Sequence, residues 1–264
     1  FFSEYKMNFF KTYKVEQKIF FRSPDVIIFN LLMPLVVFIL ISVISGSKEA
    51  GTLTFSQSSY IALSTVGICC SAFMSIPISI VESRSHGILR RLYCSPCSPA
   101  RLLACDTIAS AIMAVISTLI LTFTAVIFFG YRMSGNVIIY ILLWILTMLS
   151  MFSIGLMIAS LCRTEKSMNI VTSAVYFPML FFSGATIPSE IFPKGLKVVS
   201  DILPLGVGIN LLKSASAGQY EGIFLPIIIL SRFLMLYFFS AQVHILYTLL
   251  QHRKISWNAF CRLQ

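Results

Sequence analysis

Charge is what this chain has least of. Only 11% of its residues are Asp, Glu, Lys or Arg, while 57% are hydrophobic; a soluble domain carries about 25% charged residues. So small a supply cannot cover a water-facing surface, and the remaining area must face lipid. The ten acidic residues all lie outside the long apolar runs. That speaks against an enzyme site built on paired carboxylates, and against carriers that work through intramembrane acids. The three histidines, His86, His244 and His252, are far apart, and no His-Glu-x-x-His occurs. Neither a Gly-x-x-x-x-Gly-Lys-Ser/Thr phosphate loop nor a Gly-x-Ser-x-Gly elbow is present. The chain therefore has no such ATP site and no such serine nucleophile of its own. Its seven cysteines make no disulfide framework. Cys69, Cys70 and Cys162 lie in or beside apolar runs, and Cys94, Cys97 and Cys105 cluster in a basic loop. The lone Cys94-Ser-Pro-Cys97 pair lacks the second ligand pair of a structural zinc site.

What the chain does have is long uncharged runs. A bilayer core about 30 Å thick needs about 20 apolar residues as a helix. Residues 26–45, 58–81, 107–131, 137–161 and 167–188 are uncharged, and 223–250 holds only Arg232 and His244. The runs are continuous rather than alternating. Backbone in lipid must satisfy itself, so they predict helices and not a barrel. The expected fold is one all-α integral membrane domain, residues 1–264, with six transmembrane helices. The first run is too long, and too soon followed by others, for a cleaved signal.

The formal net charge of +10 fits a topology signal. A nucleic-acid surface would need its basic residues gathered on one water-facing face, and here they sit between the runs. Fourteen of the twenty Lys and Arg residues fall on one side of the six spans and five on the other. The positive-inside rule then puts both termini in the cytoplasm. Residues 5–22 predict an amphipathic helix lying in the inner interface. Lys11, Lys14, Lys18 and Arg22 form one stripe with Phe9, Tyr13 and Phe20 opposite, and Glu16 disturbs the apolar side. Ser23-Pro24-Asp25 ends it. Residues 82–101 form a basic internal loop, in which Pro96 and Pro99 are expected to end a short helix over 84–93. Residues 184–221 are rich in Gly and Pro yet apolar, so they are expected to fold into short helices dipping into the outer leaflet or capping a cavity.

Two of these segments carry a resemblance. Glu82-Ser-Arg-Ser-His-Gly87-Ile-Leu89-Arg90-Arg91-Leu92-Tyr-Cys-Ser-Pro96-Cys-Ser-Pro99-Ala-Arg101-Leu-Leu resembles the cytoplasmic signature of type-2 ATP-binding-cassette export permeases. Phe182-Ser-Gly184-Ala-Thr-Ile187-Pro188, then Phe192-Pro193 and Leu203-Pro204, is similar to that family's exit from the fifth span and the re-entrant segment after it. The resemblance covers nearly the whole chain.

It implies a bacterial cell-membrane permease that forms a homodimer over two separate ATPase subunits. ATP and magnesium would sit on those subunits, with no cofactor bound by this chain. It further implies a coupling helix around Gly87–Leu92, with Glu82, Leu89, Arg90, Arg91, Pro96, Pro99 and Arg101 in the ATPase-contacting loop. The implied substrate path runs at the dimer centre between the second and fifth spans. Those spans offer Thr65, Cys69, Phe73 and Met74, and Tyr176, Phe177, Met179, Leu180 and Phe181. Polarizable and aromatic surfaces of this kind suit an amphipathic drug, antibiotic, peptide or lipid-like substrate, and the same residue types are also ordinary packing or lipid-facing residues. An outer gate is implied at Gly184, Ile187, Pro188, Pro193 and Pro204. Pro77 and Pro178 offer kinks in the two path-lining spans. Export of lipid-linked polysaccharide and an ATP-independent secondary transporter are the alternatives. Arg232 has two readings. It is intramembrane if the last span starts at Ile223, and interfacial if that span starts near Phe233, with Asp201 or Glu221 as its partner.

Overall fold

The computed structural model describes residues 28–45, 49–50, 53–85, 99–131, 133, 135–162, 164–184, 194–219 and 224–235. The interface helix expected over 5–22, most of the coupling loop, Ile187, Pro188, Pro193 and residues 236–250 lie outside them.

The chain is helical almost throughout the described residues. A π-helical turn, Ile28–Leu32, leads into α1, Met33–Ser45. A two-residue hairpin, β1 (Glu49–Ala50) paired antiparallel with β2 (Leu53–Thr54), turns the chain. Then come α2 (Phe55–Cys70), a second π-helical segment (Ser71–Ser75) and α3 (Ile76–Ser85). Cys70 and Ile76, on either side of that segment, are both right-handed helical, so the rod is continuous. α4 (Pro99–Phe129), α5 (Val137–Leu161) and α6 (Glu165–Phe182) follow. α7 (Lys194–Ile202), α8 (Pro204–Ser216) and an apolar helix α9 (Phe224–Met235) complete the described chain.

Three helical stretches are long and apolar enough to cross a bilayer: Phe55–Val81, Ala104–Phe129 and Val137–Leu161. At 1.5 Å per residue, each spans roughly 40 Å. α7 and α8 meet at 89°, and counting that bent pair as one span gives four. The protein is thus an all-α, multi-pass membrane protein with three, or up to four, such spans among the described residues. Of the other expected spans, the described parts of the first and last include the apolar helices Asn30–Ile44 and Phe224–Met235. α6 has eighteen residues, but Glu165, Lys166 and Asn169 lie in its first turns.

The third span starts earlier than its uncharged run suggests. Pro99, expected to close the short helix of the loop, is the first residue of α4. Proline suits that position because the first N–H groups of a helix have no intrahelical partner. Starting there brings Cys105 and Asp106 inside the helix, where both are buried.

The rod α2–α3 is the axis of the bundle: 89% of its most apolar window is buried, against 28% for Ala104–Phe129. Its sequence explains this. Ser58, Ser59, Ala62, Ser64, Gly67, Ser71, Ala72 and Ser75 keep its surface low, so neighbouring helices approach closely. α1, α4, α5 and α8 pack against α2, and α5 and α6 against α3. A Cβ on Gly155 of α5 would collide with the Ala72 carbonyl, which fixes how near α5 lies to the rod.

Helix ends are defined locally. Asn136 Oδ1 accepts Ile138 N–H at 2.9 Å to start α5. Thr164 and Ser167 form a reciprocal capping box that starts α6, two residues after Cys162. α8 is closed off two residues past its end by Gly218, with φ of 73°. There Gln219 N–H returns to Ser214 O at 2.9 Å and Gly218 N–H to Ala215 O at 3.3 Å, a Schellman closure. The Gly135 N–H caps the Ser216 carbonyl at 3.0 Å, which ties the loop before α5 to the end of α8.

Candidate transport core and coupling site

Hydroxyl groups on small side chains do most of the polar work between these helices. Tyr60 on α2 and Thr122 on α4 share a hydrogen bond of 2.8 Å. Around it Phe38, Tyr60, Phe129 and Tyr131 make edge and tilted ring contacts, with Tyr60 and Tyr131 4.5 Å apart between centroids. Lower on the rod, Cys70 Sγ and Tyr176 Oη are 3.1 Å apart, so α2 and α6 touch through a polar pair. Ser150 Oγ donates to Leu230 O at 3.1 Å and ties α9 to α5. Thr147 of α5 sits under Gly208 of α8, where a Cβ would strike its methyl group.

The residues expected along a substrate path divide into two sets. Thr65, Cys69, Phe73, Tyr176 and Leu180 are buried within the single chain, as is Met179. Thr65 Oγ1 donates back to Ala62 O at 2.6 Å. Met74 is half-buried. Phe177 and Phe181, one turn apart on α6, are more than half exposed. Pro178 lies between them and α6 remains α-helical through it, whereas Pro77 is preceded by the π-helical segment of the rod.

Of the coupling residues, Glu82 lies on the last turn of α3, and Pro99 and Arg101 on the first turn of α4. Gly87, Leu89, Arg90, Arg91, Leu92 and Pro96 lie outside the described residues. The rod therefore runs without a break from Phe55 to the start of the signature segment, and α4 takes up the chain at its end. Of the outer-gate residues, Gly184 follows α6 with φ of 78°, and Pro204 opens α8 directly after the 89° bend. Asp201 accepts a hydrogen bond from Asn210 Nδ2 at 3.1 Å across that bend. Arg232 is exposed on α9, two turns after its start at Phe224.

Three buried polar residues escaped the sequence reading. Asp106, 1% exposed, falls inside α4 because that helix starts ahead of the uncharged run. Lys213, counted there as an outer-loop charge, is buried in α8. Asn30, inside the first uncharged run, is 1% exposed and bonds to three serines on two other helical segments, Ser71 and Ser75 on the second π-helical segment and Ser117 on α4. The available signal for Asn30 was an amide four residues ahead of Pro34 in an otherwise apolar helix.

A central small-residue rod, apolar helices packed on it and a bent helix pair define a polytopic membrane protein of the transporter type. The chain belongs to the ABC-2 type transporter family, which matches residues 8–217. Members are non-catalytic membrane permeases that work with an ABC ATPase, so this chain is a permease and not an enzyme. A search of curated protein sequences gives no match.

Proposed function

We propose that this permease is the membrane half of an ATP-driven exporter, moving an amphipathic or hydrophobic substrate outward by alternating access. Two copies and two ATPase subunits make the working unit, with both termini in the cytoplasm and six spans per copy. The observation that carries the reading is the family match together with the place of the signature. The segment from Glu82 to Arg101 joins the ends of α3 and α4, and α3 is one end of the rod that α1, α4, α5, α6 and α8 pack against. A short helix held at both ends by long helices can pass on a push, whereas a loose loop cannot. Arg90 and Arg91 supply charge for acidic groups on the ATPase. Phe177 and Phe181 offer the substrate an aromatic surface, and α7 with α8 forms the outer re-entrant segment.

The test is co-expression with a candidate ABC ATPase from the same genome, followed by ATP hydrolysis by the purified complex. Glu82→Ala and Arg91→Glu are expected to weaken the complex or to uncouple hydrolysis from the permease. A stable complex with unchanged hydrolysis in both variants would reduce the loop to a topology signal.

A further inference from the structure

The two π-helical segments have the same relation to proline. Ile28 begins the first six residues before Pro34, and Ser71 begins the second six residues before Pro77. In an α-helix each proline would lack the N–H owed to the carbonyl four residues back, and its ring would press on that carbonyl. Those carbonyls belong to Asn30 and Phe73, the middle residues of the two wide turns. Widening the turn relieves the clash. In a membrane, the freed backbone groups must find partners inside the protein.

Asn30 makes bonds at both segments. Its own carbonyl, left without the Pro34 N–H, accepts Ser117 Oγ from α4 at 2.6 Å. Its carboxamide reaches the other wide turn. Nδ2 donates to Ser75 Oγ at 3.1 Å, and Oδ1 lies 3.1 Å from Ser71 Oγ. The Ser71 proton is shared with the Gly67 carbonyl, also at 3.1 Å. Asn30, Ser71, Ser75 and Ser117 are each at most 4% exposed. On the opposite side Gly155 meets the backbone of the second turn at Ala72, so nothing but helix backbone separates that turn from α5.

We infer that the Asn30 carboxamide is a clasp between two proline-widened turns, so that the first and second helices can bend at these turns only together, with Gly155 as the bearing surface. A π-helical turn is a defined place for a helix to change direction. Beyond the second turn the rod continues as α3, which runs toward the signature segment. Movement at α3 is then shared with the first span and does not dissipate in one bent helix. This inference concerns the permease alone and holds whichever ATPase or substrate it serves, so it stands or falls separately from the exporter reading.

The experiment is backbone hydrogen exchange of the full chain in lipid nanodiscs, followed by mass spectrometry. The segments to follow are 28–36 and 67–79. Variants are Asn30→Leu and the pair Ser71→Ala with Ser75→Ala; Thr124→Ala, which loses only a bond within its own helix, is the control. Losing these bonds should make exchange about tenfold faster. The clasp requires that the effect cross between helices. Asn30→Leu must speed exchange at 67–79, and the serine pair must speed it at 28–36, with α5 and the control unchanged. If Asn30→Leu does not fold, the serine pair decides alone, because it leaves the first span's sequence intact. Acceleration confined to the substituted helix, or spread evenly over all helices, overturns the clasp.

Discussion

At Gly155 the side chain's absence sets a distance. A β-carbon there would strike the Ala72 carbonyl, which belongs to backbone and cannot rotate away. Gly155→Ala should therefore push α5 off the rod and destabilise the fold by about 1–3 kcal/mol, the usual cost of overpacking. Thermal unfolding in detergent would register it as a lower Tm; an unchanged Tm would mean that α5 does not seat as described. The contact between Cys70 and Tyr176 makes a second residue-scale prediction. Hydrogen bonds between membrane helices are worth about 0.6 kcal/mol on average. A double-mutant cycle with Cys70→Ala and Tyr176→Phe should show a coupling of roughly that size, and strict additivity would count against the bond. Such contacts were out of reach from sequence. Cys70 and Tyr176 are 106 positions apart, and nothing local marks either as polar-paired. Asn30 was similarly hidden, because an amide in an apolar run reads as a tolerated exception until Ser71, Ser75 and Ser117 are seen around it.

At the scale of elements, the uncharged runs were legible because lipid imposes one rule on all of them: backbone groups must be satisfied within the segment. The run 137–161 coincides with α5. Boundaries set by capping were less legible. α4 extends eight residues ahead of its run because Pro99 begins the helix and the polar turns before residue 107 are helical too. Asp106 is buried as a result. The start of α6 shows capping at work. Thr164 and Ser167 close the first turn on each other, with Thr164 Oγ1 accepting Ser167 N–H at 3.3 Å. Replacing both by alanine should cost about 1 kcal/mol and fray α6 from Glu165. The effect would be visible as faster hydrogen exchange over its first turn while α5 stays protected. Equal protection in the variant would show that packing against α3, not the cap, holds that end. The bent pair α7 and α8 was foreseeable as short helices from Pro and Gly spacing. Its angle was not, because the 89° bend depends on how Gly206 lets α8 close on the Ser200 carbonyl.

At the scale of the molecule, several faces are apolar and exposed, and they differ in kind. The outer face of α4 presents Leu119, Phe123, Val126, Ile127 and Phe128, all large and all about half exposed or more. Such a surface keeps a neighbouring helix backbone at a distance and suits fluid lipid chains. The outer face of α6 presents Phe177 and Phe181 beside exposed Ala174 and Pro178. Small residues between larger ones let another helix come close, so this is the face on which the proposed dimer, with the proposed substrate path between its copies, would pack. Cysteine cross-linking in native membranes distinguishes the two. Phe177→Cys or Phe181→Cys should give an oxidant-induced dimer above the wild-type background set by the native cysteines, and Leu119→Cys or Phe123→Cys should not. Burial of Thr65, Cys69 and Phe73 inside one copy adds a condition. If the proposed path runs along this face, the surface it meets in this conformation is that of α6 and not of the rod. A bulky thiol reagent should then label Phe177→Cys readily and leave the native Cys69 untouched until the bundle opens. Dimer formation through α4 instead, with α6 inert, would move the interface to the opposite face and take the proposed path with it.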